Sequence, residues 1–326
     1  GPFFRAARSG LKLKALGGSE LKVSALALGT MNFGSDWHGI GAVDEKTASR
    51  MLDMALEAGV NLIDTADIYG YGASETLLGK LLEGRRSRWV LATKVRAHMT
   101  PGDPASGGLS ARRIAEGLDA SLRRLRTDYV DLFMPHYPDD QVPLAETLEA
   151  FEKALRQGKV RALGCSNFPP AAWESALAWS SSSRPRFEFN QVQLSLASPF
   201  ALADFAGLCG REGFSLTAWS PLGGVLLTGK YRGTSRPRGR RQDPEKAFPS
   251  LPEARLAPLL TLLEKVAVLE GVTPAQAALG WLLGKPAVAG VLLGARRPDQ
   301  LREALAARRL GPKSQDLLDR AAVVVA

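Results

Sequence analysis

Eight short apolar runs, each leading on to a segment of helical period, make an α/β chain closed into a (β/α)8 TIM barrel the expected fold. Two further observations agree. A pair of alternating segments around Gly17-Gly18 precedes the first barrel strand, as an N-terminal β-hairpin cap for the bottom of the barrel would. The apolar runs also end, one after another, in polar side chains, and in a parallel barrel those ends share the face that carries the active site. Barrels of this length are routinely one domain, so a single domain over 11–326 is expected. Residues 1–10, beginning Gly-Pro-Phe-Phe-Arg, read as a disordered tag or leader.

The elements follow in order. Lys12–Ala15 and Leu21–Val23 form the hairpin. Ala25–Leu28 is the first barrel strand, ending at Gly29-Thr30 and a loop, Met31–Ala42, that holds Phe33, Trp37 and His38. Asp44 is placed to cap a helix over Thr47–Ala58 that Gly59 stops. Strand Asn61–Ile63 leads to helix Ser74–Leu82, with Ser74 as its cap, and strand Trp89–Thr93 leads to helix Ser110–Arg124. Strand Asp131–Met134 leads to helix Leu144–Gln157, strand Val160–Gly164 to helix Pro170–Ala178, and strand Phe187–Gln191 to helix Ala201–Glu212. After strand Ser215–Trp219 comes a stretch rich in Gly, Pro, Arg and Ser, from Thr228 to Ala254, too long for an ordinary connection. Such a loop is either a lid or disordered. Helices over Ala254–Glu270 and Thr273–Leu283 separate it from the last strand, Val288–Leu293, and helix Pro298–Ala307, and Ser314–Val325 reads as a terminal helix packed outside.

Composition narrows the partners. Lys and Arg total 42 against 33 Asp and Glu, a net charge of +9, but they are spread over the helices and only the run from Arg236 to Arg241 is dense. A run of that kind reads as a solvated face or tail. Nucleic-acid binders concentrate their cations on one surface, so an anionic small ligand is expected and nucleic acid is not. No run of about eighteen apolar residues is present to span a bilayer, and no membrane partner is expected. Two cysteines, Cys165 and Cys209, supply neither a disulfide framework nor a metal site, and Cys165 reads as a small buried filler. A cytoplasmic monomer or weak homo-oligomer is the expectation.

The strand ends carry the chemistry. The stretch from Asn61 to Gly70 sets Asp64 at a strand tip and Tyr69 in a glycine-flanked loop just beyond it. The third strand ends in Lys94, the fourth in His136, the fifth in Ser166-Asn167, the sixth in Asn190 and Gln191, and the seventh in Ser220. Singly, each has an ordinary explanation: a lysine snorkels to water, an aspartate closes a turn, a histidine satisfies a structural bond. On one rim together they would be several coincidences, and a site is the simpler reading. A phenol titrates near pH ~10 and is a poor proton donor at neutrality, and a buried ammonium beside it would lower that value by favouring the phenolate. Asp64 would hold Lys94 charged, His136 would orient a carbonyl oxygen, and Tyr69 would protonate it. Such a site polarises a carbonyl but has no reductant of its own, so a hydride donor has to bind beside it.

With Asp64, Tyr69, Lys94 and His136 in that order, the segments IDTADIYGYGASE, LATKV and DLFMPHYPD resemble the catalytic tetrad segments of the aldo-keto reductases. GCSNF at 164–168, NQVQLSL at 190–196, AWSPLGGVLLTGKY at 218–231 and GARRPDQLREAL at 294–305 are similar to that family's cofactor segments, in the same order. The resemblance runs over about residues 20–310. It implies reversible, NADP(H)-dependent reduction of an aldehyde or ketone, with those four residues catalytic. It also implies cofactor contacts at Gly29 and Thr30, carboxamide contacts from Ser166, Asn167 and Gln191, and stacking by Trp219. Ser220, Pro221, Leu222, Gly224, Leu226, Gly229 and Lys230 match the pyrophosphate segment, and Gly294, Arg296, Gln300 and Glu303 match the adenosine pocket. Arg296 and Arg297 suit a 2′-phosphate, since a helix start is an unfavourable place for two cations without an anion. The loop over 228–250, with Lys230, Arg232 and Arg236, is the cofactor-side loop by this resemblance. Two departures stand out: Ala304 replaces the Asn many relatives carry, and Pro135 removes a backbone donor before His136, which is expected to distort that strand end.

Phe33, Trp37 and Tyr137, with Phe168 and Trp173, are expected to line the rim and favour an apolar or ring-shaped substrate, keto-sugars included. The alternatives are a weakly or non-catalytic NADP-binding regulatory subunit, similar to the potassium-channel β subunits of this fold, and a Schiff-base lyase using Lys94. A metal held by Asp64, Asp67 and His136 is a further possibility, and no metal is expected.

Overall fold

The computed structural model describes residues 13–39, 41–180, 184–228 and 252–325. Its first two strands, β1 (Leu13–Ala15) and β2 (Lys22–Ser24), form an antiparallel hairpin. Eight parallel strands follow: β3 (Leu26–Gly29), β4 (Leu62–Asp64), β5 (Val90–Val95), β6 (Val130–Pro135), β7 (Val160–Ser166), β8 (Phe187–Gln193), β9 (Ser215–Trp219) and β10 (Val288–Gly294). Each pairs with the next, and β10 returns to β3 to close the barrel. The helices between them are α1 (Glu45–Glu57), α2 (Ala73–Leu81), α3 (Ala111–Leu125), α4 (Leu144–Arg156), α5 (Pro170–Trp179) and α6 (Phe200–Glu212). They continue with α7 (Glu253–Glu270), α8 (Pro274–Leu283), α9 (Pro298–Leu305) and α10 (Pro312–Val325). Among the described residues no helix is long and apolar enough to cross a membrane. The proposed leader, Lys12, and the segment 229–251 lie outside the described residues.

Local chemistry sets the element ends. Asp44 Oδ1 accepts the Thr47 N–H at 2.8 Å and starts α1, as its position predicts, and Thr273 and Gln276 form a reciprocal capping box at α8. Ser74 behaves otherwise. It lies inside α2, fully buried, and its Oγ donates to the Thr30 carbonyl at 2.8 Å, tying the helix to the end of β3 instead of capping it. Pro135 does not break its strand either. The register of β6 on β5 continues to Pro135, and the His136 N–H still reaches the Val95 carbonyl at 2.9 Å.

Strand side chains alternate in direction, so each barrel strand has an inner and an outer set. On β5 the residues Leu91 and Val95 pack outward against the helices, while Val90 and Ala92 face the barrel interior. On β6 Leu132 and Met134 face inward. Ala162 and Phe189 join them from β7 and β8, and Leu16 and Val23 plug the bottom from the hairpin. Phe189 fits only because Gly164 has no side chain, since a Cβ there would lie 2.3 Å from the phenyl ring. The inner positions continue upward as Asp64, Lys94, His136, Ser166 and Gln191. Counting by twos from the apolar plug thus lands on the residues at the top of the barrel.

Candidate active site

The turn after β4 places the phenol. Gly70 and Tyr71 are left-handed, at φ 58° and 51°, and a Cβ at Gly70 would lie 2.2 Å from Ser35 Oγ, so the turn needs glycine. Lys94, reaching up from β5, sits at the centre. Its Nζ is 2.6 Å from Asp64 Oδ2, 2.8 Å from the Thr65 carbonyl and 3.3 Å from the Tyr69 hydroxyl. Lys94 is fully buried and Asp64 nearly so. Three acceptors surround this nitrogen, and only an ammonium has three N–H donors to meet them. Burial works against the charge, but Asp64 and then Tyr69 outweigh it, and the Lys94 pKa is raised.

Tyr69 accepts from Lys94, which leaves its own O–H to donate elsewhere. The residue is partly exposed, while the hydroxyl lies in the interior. The expected lowering of its pKa does not result. Burial raises it, Lys94 pulls it down without cancelling that effect, and Asp64 adds to the rise. The phenol is therefore neutral through the physiological range. His136 stands edge-on to it, with ring centroids 5.9 Å apart. Burial, then the charges of Lys94 and Arg96, push the imidazole well below the usual histidine range, so it is neutral as well, and its buried Nδ1 has no hydrogen-bond partner among the described residues.

A polar wall continues from this centre. Gln191 Nε2 donates to Asp64 Oδ1 at 2.8 Å. Asn167, left-handed at φ 58°, gives Nδ2 to the His136 carbonyl at 3.0 Å and to Ser166 Oγ at 3.1 Å, and accepts Trp219 Nε1 at 2.9 Å. The structure thus brings Ser166, Asn167, Gln191 and Trp219 together beside His136, with their polar atoms engaged on one another. Beyond β9, Ser220, Gly223, Gly224 and Val225 all have positive φ, and Ser220 Oγ accepts the Gly224 N–H at 3.0 Å. Ser220 and Val225 each bear roughly 1 kcal/mol or more in that conformation, strain of the kind that gathers at ligand clamps. Pro221 is buried beneath this turn and Leu222 half-buried. Gly294 and Arg296 are exposed, Gln300 Oε1 accepts the Arg296 N–H at 3.1 Å, and Glu303 is exposed. Arg297 is bound through Nε and Nη2 to Asp299, which supplies the anion expected from a ligand at that helix start.

Several expectations fail. Thr30 is fully buried and its hydroxyl donates to the Asp64 carbonyl at 2.9 Å, so its side chain is a tie within the barrel. Gly29, next to it, is partly exposed. Phe33, Phe168 and Trp173 are core residues between barrel and helices, not rim residues, and the Leu226 side chain belongs to the same core. Gly229 and Lys230 lie outside the described residues. Trp37 is half-buried and meets Tyr71 edge-on, with centroids 5.4 Å apart. Tyr137, 46% exposed, stacks on His136 at 5.0 Å.

Sequence reasoning missed a second charged layer behind the turn. Asp67 is bound by Arg113 Nη2 at 3.0 Å, and Glu75 by Arg124 Nε at 2.7 Å and by Thr93 Oγ1. Burial, then repulsion from Glu75, raises the Asp67 pKa to about 7 in spite of Arg113. The signal was present: Asp67 and Glu75 share the stretch with Tyr69, and Arg113 and Arg124 are three helical turns apart on one face of α3. Tyr71 was missed at the rim, where it is 51% exposed.

The family model for the aldo/keto reductase family matches residues 25–322. The chain is 36% identical over 307 residues to the uncharacterized oxidoreductase YrpG of Bacillus subtilis, covering 90% of this chain and 89% of that protein. It is 37% identical over 305 residues to an uncharacterized oxidoreductase of Mycobacterium bovis, covering 92% and 90%. It is also 34% identical over 307 residues to a Schizosaccharomyces pombe protein named "Putative voltage-gated potassium channel subunit beta", covering 88% and 85%. With an eight-stranded parallel barrel and a matched segment running from its first strand into its terminal helix, the chain belongs to the aldo/keto reductase family of oxidoreductases.

Proposed function

We propose that the chain is an NADP(H)-dependent reductase of aldehydes or ketones, running in reverse as an alcohol dehydrogenase, with Tyr69 as general acid. One observation carries this reading: the Lys94 ammonium is saturated by three acceptors, one of them the Tyr69 oxygen, so the phenol proton is left to be given to a substrate. In reduction a carbonyl oxygen takes that proton as negative charge builds on it, a contribution of about 10²–10⁴-fold for a placed acid. Neutral His136 orients the oxygen, and Lys94, held by Asp64, stabilises the phenolate left behind. Oxidation runs the same atoms backwards.

A bound nicotinamide cofactor would supply the two electrons that no side chain of the site can give. Ser166, Asn167, Gln191 and Trp219 are suited to its ring end, and the strained turn from Ser220 to Thr228 to its phosphates. Arg296 and Arg297, fixed cations with forked donors at the start of α9, suit a 2′-phosphate, and this favours NADP(H) over NAD(H). Trp37, Tyr71 and Tyr137 suit a substrate with a flat apolar or sugar face. The two buried free thiols suit a reducing compartment such as the cytoplasm.

Other chemistries fit less well. A Schiff-base lysine attacks as a neutral amine, whereas Lys94 has a raised pKa. For a metal at Asp64, Asp67 and His136, both Asp64 oxygens are engaged by Lys94 and Gln191, and Asp67 is directed to Arg113. A regulatory, weakly catalytic subunit remains a second reading because two relatives are named as potassium-channel β subunits. Fluorescence titration with NADPH and NADH, followed by decay of the bound NADPH signal against a panel of aldehydes and ketones, separates them. Tight NADPH binding with oxidation by a carbonyl is expected; binding without oxidation would favour the regulatory subunit.

A further inference from the structure

The Asp64 carboxylate is held on both sides, and the proton transfer described above uses only one of them. Oδ2 takes Lys94 at 2.6 Å, and Oδ1 takes Gln191 Nε2 at 2.8 Å, from a residue 127 positions away in the chain. An ionised carboxylate accepts and cannot donate, so Gln191 must present its nitrogen to Asp64 and turn Oε1 away. The position of this amide is fixed. Gln191 is buried, and its backbone carbonyl accepts the Ser166 hydroxyl at 3.1 Å and the Asn167 N–H at 2.9 Å.

A donor on Oδ1 draws charge away from the carboxylate. Without it, Asp64 would hold the Lys94 ammonium more tightly, share it less with Tyr69, and make the phenolate harder to form. We infer that Gln191 is a positioning residue for proton transfer, acting through Asp64 and Lys94 on Tyr69, in addition to lying beside a nicotinamide site. The inference rests on Tyr69 being the acid. A ligand amide donating to Gln191 Oε1 would polarise the side chain and strengthen its hold on Asp64, so filling of the cofactor site would be felt at the phenol.

Two variants test this. In Gln191→Glu the new carboxyl stands against Asp64, and two carboxyls in contact share a proton. Its ¹³C signal in the cofactor-free protein should therefore titrate well above the ordinary glutamate range of about 4.3. While protonated it still donates to Asp64, so kcat at saturating NADPH should fall as this carboxyl ionises, a limb absent from the wild type. Gln191→Leu should lower kcat at saturating NADPH about tenfold at every pH, the order of one charge-assisted hydrogen bond. It should also move the Tyr69 ring-carbon signal in the cofactor-free protein, assigned among the five tyrosines with Tyr69→Phe. Thermal unfolding confirms that both variants fold. An ordinary glutamate titration, with NADPH affinity changed and the saturated kcat and the Tyr69 signal unchanged, would leave Gln191 a cofactor contact alone and overturn the inference. If the wild type reduces no carbonyl, the reductase reading fails by itself, and the carboxyl titration and the Tyr69 signal still decide the role of Gln191.

Discussion

The barrel interior has two halves built on the same strands. At the bottom, Leu62, Val90, Leu132, Ala162 and Phe189 form an apolar plug with Leu16 and Val23 from the hairpin. One or two inward positions further along, the same strands present Asp64, Lys94, His136, Ser166 and Gln191. Backbone, parity and register are shared, so the difference lies in the side chains alone. The plug gains from burial at about 25 cal/mol per Å² and is indifferent to pH. The upper layer places an ion pair in the same interior, where it survives only because each charge has partners. Stability thus resides in one half, and the other half holds charged and polar groups against the cost of burial.

Substitutions in each half should therefore fail differently. Lys94→Met leaves Asp64 charged and buried beside Gln191, and is expected to cost about 3–5 kcal/mol of stability together with most turnover, measured by urea unfolding and steady-state rates. A variant as stable as the wild type would mean that the two layers do not differ as described. Leu132→Ala, in register with Ala92 two residues before Lys94, should cost about 2–5 kcal/mol by leaving a cavity. The kcat of its folded fraction and the pH profile should not change; a displaced profile would show that the plug sets the chemistry too. Outside the barrel, Arg296→Ala should weaken NADPH by about 1.5–3 kcal/mol and NADH far less, and equal weakening would put the phosphate elsewhere.

A pH effect is expected from the charged layer behind the turn. Asp67 has a folded pKa of about 7 against an ordinary 3.8, so the folded protein binds this proton more tightly than the unfolded chain. Its contribution is fully favourable below about pH 4 and is lost as pH rises through about 7. Asp67→Asn, whatever its absolute stability, should lack this slope in urea midpoints between pH 5 and pH 8. An unchanged slope would mean that another group carries it.

Much of this was legible because strand periodicity is rigid. Once Asp64, Lys94 and His136 are placed at strand tips, parity sends them inward together, and no long-range information is needed. The aromatic residues had no such guide. Phe33, Phe168 and Trp173 differ from Trp37 and Tyr137 in which side of a loop or helix they occupy, and residue type does not encode that. Ser74 looked like a cap because its hydroxyl suits one, and only the approach of Thr30 reveals its use. Arg113 and Arg124 reach partners 46 and 49 positions away, beyond the range of any local pattern. The Tyr69 pKa was misjudged for a related reason: the sequence named the cation beside the phenol but not how deeply the hydroxyl is buried, and burial is the larger effect.

The most direct test of the account is a single-turnover experiment with NADPH bound, comparing wild type and Tyr69→Phe against one carbonyl that the wild type reduces. The variant loses only a hydroxyl at the end of a network whose other bonds remain. NADPH affinity should stay close to wild type and stability should fall by no more than about 1–3 kcal/mol, the cost of one unmet Lys94 donor, while oxidation of the bound cofactor slows by about 10²–10⁴-fold. Oxidation at the wild-type rate would contradict the assignment of Tyr69 as the acid, and with it the reading of the whole upper layer.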